Sequence, residues 1–210
     1  MNSVSFGVES GSEKTRKLYN RHESQAQILK VDELNVRLKK EFFSRNQYDI
    51  IVDSPWEDPD DALDSLLFIS KLKGYDFLDI FSLRLMPGSG LFQKALDDGI
   101  LKQEDIEKEN QRVYRAMSYT YENFLFLLMR DNFLREGWFF RIAIRAKTAR
   151  FMRRFFKRHG KGMFKLYASK TVSQAVVLKK RISNVWHLLR TAGLRKTLKI
   201  LKDKIFAKRP

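Results

Sequence analysis

Through residues 1–100 the apolar positions alternate between stretches of period 2 and stretches of period near 3.6. That alternation restricts the fold to βα units around a parallel sheet, because neighbouring parallel strands need a crossover between them, usually a helix. Val4, Phe6 and Val8 read as the first strand, closed by Ser10-Gly11-Ser12. Ser10 and Glu13 have the S-x-x-E spacing of a capping box and predict a helix start there. Ser24 and Gln27 repeat the signal before a second helix, with Ile28, Val31, Leu34 and Leu38 on one face.

The run 48–52 is short, apolar and β-branched, as expected of a strand buried on both faces. Asp58-Pro59-Asp60-Asp61 then supplies an N-cap, a first-turn proline and acids suited to the positive end of a helix. Leu63, Leu66, Leu67 and Ser70 follow at helical spacing. Residues 77–85 predict a third strand, Pro87-Gly88-Ser89-Gly90 a sharp turn, and residues 91–96 a short helix ending at Gly99. Three βα units result.

Beyond Gly99 the pattern is helical. Val113, Met117, Tyr121, Phe124 and Leu128 form one apolar stripe; Ile182, Val185, Trp186 and Leu189 a second; Leu194, Leu198, Leu201 and Ile205 a third. Between them Ile144, Phe151 and Phe155 oppose Lys147, Arg150, Arg153, Arg154 and Lys157, the layout of amphipathic helices with basic outer faces. Gly160, Gly162 and Gly193 mark joints. The chain therefore divides into an α/β region, 1–100, and a helical, strongly basic region, 101–210.

Charge divides the same way. Residues 1–110 carry 15 Lys/Arg against 21 Asp/Glu, and residues 111–210 carry 26 against 4. Two regions with different partners are implied. An anionic membrane surface suits amphipathic helices bearing Trp, Phe and Lys/Arg. Nucleic acid, whose phosphates attract the same charge, is the less favoured partner, since the aromatics fall on the apolar stripes and no RNA-binding signature is present. With 43% apolar and 13% aromatic residues in 210, the chain can bury an ordinary core. No signal peptide is expected at the start, and the longest uninterrupted apolar run, 124–129, is far short of the roughly 18 residues of a membrane span. A cytoplasmic protein able to sit peripherally on a membrane is the resulting expectation. The absence of cysteine excludes disulfides, a thiolate zinc site, a cysteine nucleophile and a self-contained iron–sulfur cluster. His22, His159 and His187 are too scattered to suggest a metal site.

Three segments lie in order at intervals of about 40 residues: Gly7-Val8-Glu9-Ser10-Gly11-Ser12 with Asn20-Arg21 after it, Asp49-Ile50-Ile51-Val52-Asp53-Ser54-Pro55-Trp56-Glu57, and Met86-Pro87-Gly88-Ser89. The trio resembles strands four to six of radical S-adenosylmethionine (SAM) proteins, most closely the subclass that also carries a cobalamin-binding domain. The likeness covers about the first 100 residues. It implies a half barrel of TIM type, made of three parallel βα units. It also implies a missing N-terminal barrel half, or a separate cluster-binding chain, that holds a [4Fe–4S] cluster through C-x3-C-x2-C and any cobalamin. In such an enzyme the reduced cluster donates an electron to SAM and releases a 5′-deoxyadenosyl radical.

Carried over residue by residue, the resemblance implies that Glu9 and Ser10 lie near the ribose and amino-acid portions of SAM. Arg21 would pair with its carboxylate as a guanidinium fork, and the segment holding Asp53, where the family usually has glycine, would meet adenine. No catalytic residue or metal ligand is assigned. On the residues alone, Glu9 and Ser10 can equally cap the following helix, and Arg21 can be an exposed arginine. Glu57, Asp58, Asp60 and Asp61 read as helix-terminal charges, and Pro87 and Gly88 as a turn. Two functions follow: part of a radical SAM enzyme, or a non-catalytic, degenerate half barrel acting as a scaffold on a membrane surface or nucleic acid.

Overall fold

A computed structural model describes residues 3–42, 45–102, 104, 107, 116–131, 133, 134 and 137–168. Strands β1 (Ser3–Glu9), β2 (Arg45–Val52) and β3 (Phe77–Ser82) form a parallel sheet in the order β1-β2-β3. Helices α1 (Glu13–Leu18) and α2 (Gln25–Phe42) connect β1 to β2, and α3 (Pro59–Ile69) connects β2 to β3. Then come α4 (Gly90–Asp97), α5 (Tyr121–Arg130), α6 (Trp138–Ala143) and α7 (Ala146–Ala168). The fold class is mixed α/β with a three-stranded parallel sheet, as the alternating periods require.

Packing divides the chain into units 1–160 and 161–210, past the charge boundary near residue 100. Of the second unit, 161–168 are described, as the end of α7. The stripes at 182–189 and 194–205, and Gly193, lie outside the described residues, as does Val113.

Strand β2 is hydrogen-bonded on both edges, but it is buried on one face only. Asn46, Tyr48, Ile50 and Val52 alternate into the core, whereas Gln47, Asp49 and Ile51 remain partly open. The expectation of burial on both faces is not met among the described residues, which put little above the second face. There Ser5, Phe77 and Phe81 are exposed, and Asp49 accepts hydrogen bonds from Ser5 Oγ at 2.8 Å and from Gln47 Nε2 at 2.9 Å. Among the described residues the outer edge of β1 has no strand partner. The third strand stops at Ser82, three residues short of the prediction; Leu83 and Leu85 instead pack with Phe92 and Ala95 of α4, against Trp56.

The helix starts obey local chemistry with one correction. Ser12, not Ser10, caps α1: its hydroxyl accepts from Thr15 N–H. The Ser24–Gln27 box forms in full, with Gln27 N–H donating to Ser24 Oγ and Ser24 N–H to Gln27 Oε1. Asp58 caps α3 in a box with Asp61, with Pro59 in the first turn; the predicted turn at residues 87–90 and the predicted helix end at Gly99 form, with Gly88 (φ 83°) and Gly99 (φ 69°) both left-handed.

The inner face of α2 departs from the apolar pattern. Leu34 is 40% exposed, while Asp32 and Asn35 are buried beside Ile28. In α7 the inward residues are Ala149, Phe156 and Gly160, and Phe151 and Phe155 point outward. Helix α5 packs on β3 and α3. Its Tyr121 and Phe124 meet the Phe156 ring at 5.5 and 5.2 Å, so α5 and α7 share an aromatic core.

Candidate functional site

The C-terminal ends of parallel strands are where the chain leaves the sheet with free backbone groups, so they are the first place to seek a site. At β1 the register slips between Gly7 and Glu9, and Glu9 itself is left-handed (φ 62°). Such a bulge re-aims the side chain at the strand end. The Glu9 carboxylate folds back over Gly7, where an added Cβ would come within 2.5 Å of Oε1. There it accepts a hydrogen bond from Arg21 Nη2 at 3.0 Å. Burial raises the Glu9 pKa above its ordinary value, with the Arg21 charge opposing that shift. The Arg21 side chain is about half exposed (48%), so the pair offers both a donor and an acceptor at the strand end.

Ser10 turns away from that pair. Its side chain is buried; the hydroxyl lies 2.9 Å from Ser65 Oγ and 3.3 Å from Glu57 Oε1, and accepts from Ser12 N–H at 3.1 Å. The turn is pinned from below by Arg16, which is also buried. Its Nη1 donates to the carbonyls of Ser10 (2.8 Å) and Gly11 (3.0 Å), and its guanidinium lies over the Phe68 ring. Gly11 is required there, because a Cβ would run into the backbone of Ser65.

Glu57 is more than a helix-terminal charge. It accepts from Thr15 Oγ1 at 3.2 Å and from Ser10 Oγ, and burial pushes its pKa up to about 7, against those two bonds. A carboxyl in that range exchanges a proton near neutral pH. By contrast Asp58 is held below its ordinary value, chiefly by the Asp61 N–H that it caps.

At the end of β2, Asp53 is also left-handed (φ 62°). Its carboxylate accepts from Ser82 Oγ at 2.7 Å, Ser118 N–H at 3.0 Å and Asn123 Nδ2 at 2.7 Å. Asp53 thus ties β2 to β3 and to the start of α5. Beside it a cleft of about 170 Å³ opens between the start of α3 and α5, with Ser54, Glu57, Asp58, Glu122 and Asn123 in its wall.

Glu9 ends β1, Ser10 and Asp53 directly follow β1 and β2, and Arg21 lies beyond α1; the four enter three separate networks. Glu9 and Arg21 come together; Ser10 faces α3; Asp53 faces α5. Gly7, Arg16, Glu57, Ser65 and Asn123 complete these networks and are not among the residues that sequence reasoning assigns to a site. For Gly7 the signal is the pairing of a glycine with a carboxylate two residues on, at a strand end. For the others the signal is a partner more than 40 residues away in sequence, apart from Arg16.

No protein-family model matches the chain, and no curated protein gives a significant match to it. Among the described residues there is no group of three or more His, Cys, Asp or Glu placed to hold a metal ion, and no helix long and apolar enough to cross a membrane.

Proposed function

We propose that this chain is the C-terminal part of a radical SAM enzyme, a half barrel that contributes SAM-binding residues to a reaction whose cluster ligands lie on another segment or chain. One observation carries the reading: the Glu9–Arg21 pair, formed where the first strand bulges over Gly7. Its support is chemical. SAM presents ribose hydroxyls, an ammonium and a carboxylate, and a mostly buried carboxylate paired with a half-exposed guanidinium offers an acceptor and a donor for these groups. A chain without cysteine has no thiolate for a [4Fe–4S] cluster, so the cluster does not fit these residues, and cobalamin has no assigned ligand here.

SAM, when bound, supplies the radical chemistry; the residues of this chain bind and orient it. Glu9 accepts from the ribose or ammonium side, and Arg21 holds the carboxylate side. The turn at Ser10-Gly11, fixed by Arg16, sets where Glu9 can reach. The open face of the sheet, carrying Ser5, Gln47, Asp49 and Asp79, would then be the interior of the complete barrel. A cytoplasmic enzyme component fits this reading.

A second reading is favoured by Asp53. Its carboxylate is committed to Ser82, Ser118 and Asn123, a structural role that needs no ligand, as in a non-catalytic scaffold. Anaerobic mixing of this chain with a cluster-bearing partner, SAM and a reductant separates the two. The proposal expects 5′-deoxyadenosine only when both chains are present, and Arg21→Ala to raise the KM for SAM at least about tenfold, the equivalent of one lost charge-assisted bond. No SAM binding by the chain, and no product with any such partner, leaves the scaffold.

A further inference from the structure

Between Gly137 and Gly160 the sequence holds eight Lys/Arg and no Asp/Glu. One of the eight is neutralised: Arg153 bonds Glu122 Oε1 at 2.5 Å and Asp60 Oδ1 at 2.9 Å, so it belongs to the packing of α7 against α5 and α3. The other seven, Arg141, Arg145, Lys147, Arg150, Arg154, Lys157 and Arg158, are all exposed.

Large apolar side chains stand among them. Trp138 and Phe139 at the start of α6 are 64% and 63% exposed, stacked with ring centres 3.7 Å apart, and Ile142 lies one turn on. On α7, Phe151 is 69% and Phe155 37% exposed. Helical spacing puts Lys147, Phe151, Arg154, Phe155 and Arg158 on one stripe, opposite the inward Ala149, Phe156 and Gly160. This helix therefore has two apolar faces: one filled by the core and one aromatic and framed by cations.

We infer that the α6–α7 surface docks on anionic lipid headgroups, with Trp138, Phe139, Phe151 and Phe155 entering the interface and the seven exposed cations meeting the phosphates. Charge complementarity selects an anionic partner. The aromatic residues select a lipid one: Trp and Phe favour the boundary between headgroup and acyl chain, where an amphipathic helix lies in the plane of the interface. Single-stranded RNA would use open aromatic faces to stack bases. Here Trp138 and Phe139 stack on each other, and aliphatic Ile142 continues the patch, so it is shaped as a wedge more than as a stacking platform. The inference does not depend on SAM binding.

The test is flotation of the full chain with phosphatidylglycerol–phosphatidylcholine vesicles against pure phosphatidylcholine vesicles, with single-stranded RNA as competitor. Binding to the anionic vesicles alone, falling as salt rises, is expected. The triple variant Lys147→Gln, Arg154→Gln, Arg158→Gln should weaken it about a hundredfold, and Trp138→Ala with Phe151→Ala should weaken it at least about tenfold. Because all five positions are exposed, circular dichroism should be unchanged; should the aromatic variant misfold, the triple variant carries the test alone. Equal binding to neutral vesicles, no loss in the triple variant, or displacement from anionic vesicles by RNA at lower concentration than by free lipid would overturn the inference.

Discussion

The Tyr48 hydroxyl donates to Asp32 Oδ1 at 2.9 Å, joining the middle of the central strand to the buried face of α2. Asp32 also accepts from the N–H groups of Gly74 (2.7 Å) and Lys73 (2.8 Å), and Asn35 Nδ2 donates to the same hydroxyl. A single carboxylate thereby gathers β2, α2 and the loop before β3. Burial pushes the Tyr48 hydroxyl well above its ordinary pKa and keeps it a donor.

Asp32→Ala leaves the Tyr48 hydroxyl and the Gly74 N–H without that acceptor in the interior. The expected loss is about 2–6 kcal/mol, since each of the two buried groups left unsatisfied costs about 1–3 kcal/mol. Gly74→Ala should be comparably harmful, because its Cβ would lie 2.7 Å from Tyr48 Oη and 2.8 Å from Asp32 Oδ1. Urea denaturation of both variants checks this; a Gly74→Ala protein as stable as the parent would show that the loop can move away.

Glu57 gives a pH signature. Its folded pKa, about 7, lies above the ordinary value of 4.5, so between these values the folded protein holds a proton that the unfolded chain has released. Stability must then fall as pH rises through that window and level off above it. At about 1.4 kcal/mol per pKa unit the fall is about 3 kcal/mol. Glu57→Gln keeps an acceptor for Thr15 and Ser10 but cannot ionise. Relative to it, the parent should lose most of that amount, about 2.5 kcal/mol, between pH 5 and pH 8, read as unfolding free energy from urea titrations.

Two glycines two residues apart should respond oppositely. A Cβ at Gly160 would collide with the Tyr119 carbonyl oxygen, whereas one at Gly162 meets nothing. Gly160→Ala is expected to cost about 1–3 kcal/mol, and Gly162→Ala to gain up to about 1 kcal/mol from helix propensity. Thermal melts of the two variants, moving in opposite directions, are the check.

Arg153 and Arg154 are neighbours with different duties. Arg153→Gln leaves Glu122, whose side chain is 8% exposed, without its cation and should lower stability by about 1–3 kcal/mol. Arg154→Gln alters only an exposed charge and should stay within about 0.5 kcal/mol. A salt titration of the melting temperature should shrink the Arg153 effect only weakly, because the pair is mostly shielded from solvent.

The features that local chemistry governs are legible in the amino-acid sequence. The Ser24–Gln27 box, the Asp58-Pro59 start of α3 and the Gly88 and Gly99 turns depend on neighbours within a few positions, and local pattern also locates the three strands, although β2 starts three residues before the run read at 48–52 and β3 stops three residues short of 85. What the sequence hides depends on distant partners. Nothing local marks Asp32 and Asn35 for burial, and the loop at residues 73–74 and the Tyr48 hydroxyl make it tolerable. Ser10 outranks Ser12 as a cap on spacing alone, because its true partner, Ser65, lies 55 residues away. Phe151 and Phe155 fit an apolar stripe, yet Phe156 is the residue that α5 receives. Of the candidate site, the resemblance singles out Glu9 and Arg21 separately, but neither their bond to each other nor the commitment of Asp53 to Asn123, 70 positions on, is visible in the sequence.

Among the described residues the sheet has an open face and a β1 edge with no strand partner, which makes the protein's lifetime a matter of supply. A partner that recognises this face only when the strands are assembled adds RT ln(1 + [L]/Kd) to folding stability, about 2.7 kcal/mol when it is present at a hundredfold excess over Kd. Without one, an unprotected strand edge invites pairing with other chains. The amount of this chain that a cell maintains should therefore rise and fall with whatever closes the sheet, even if its own synthesis never changes.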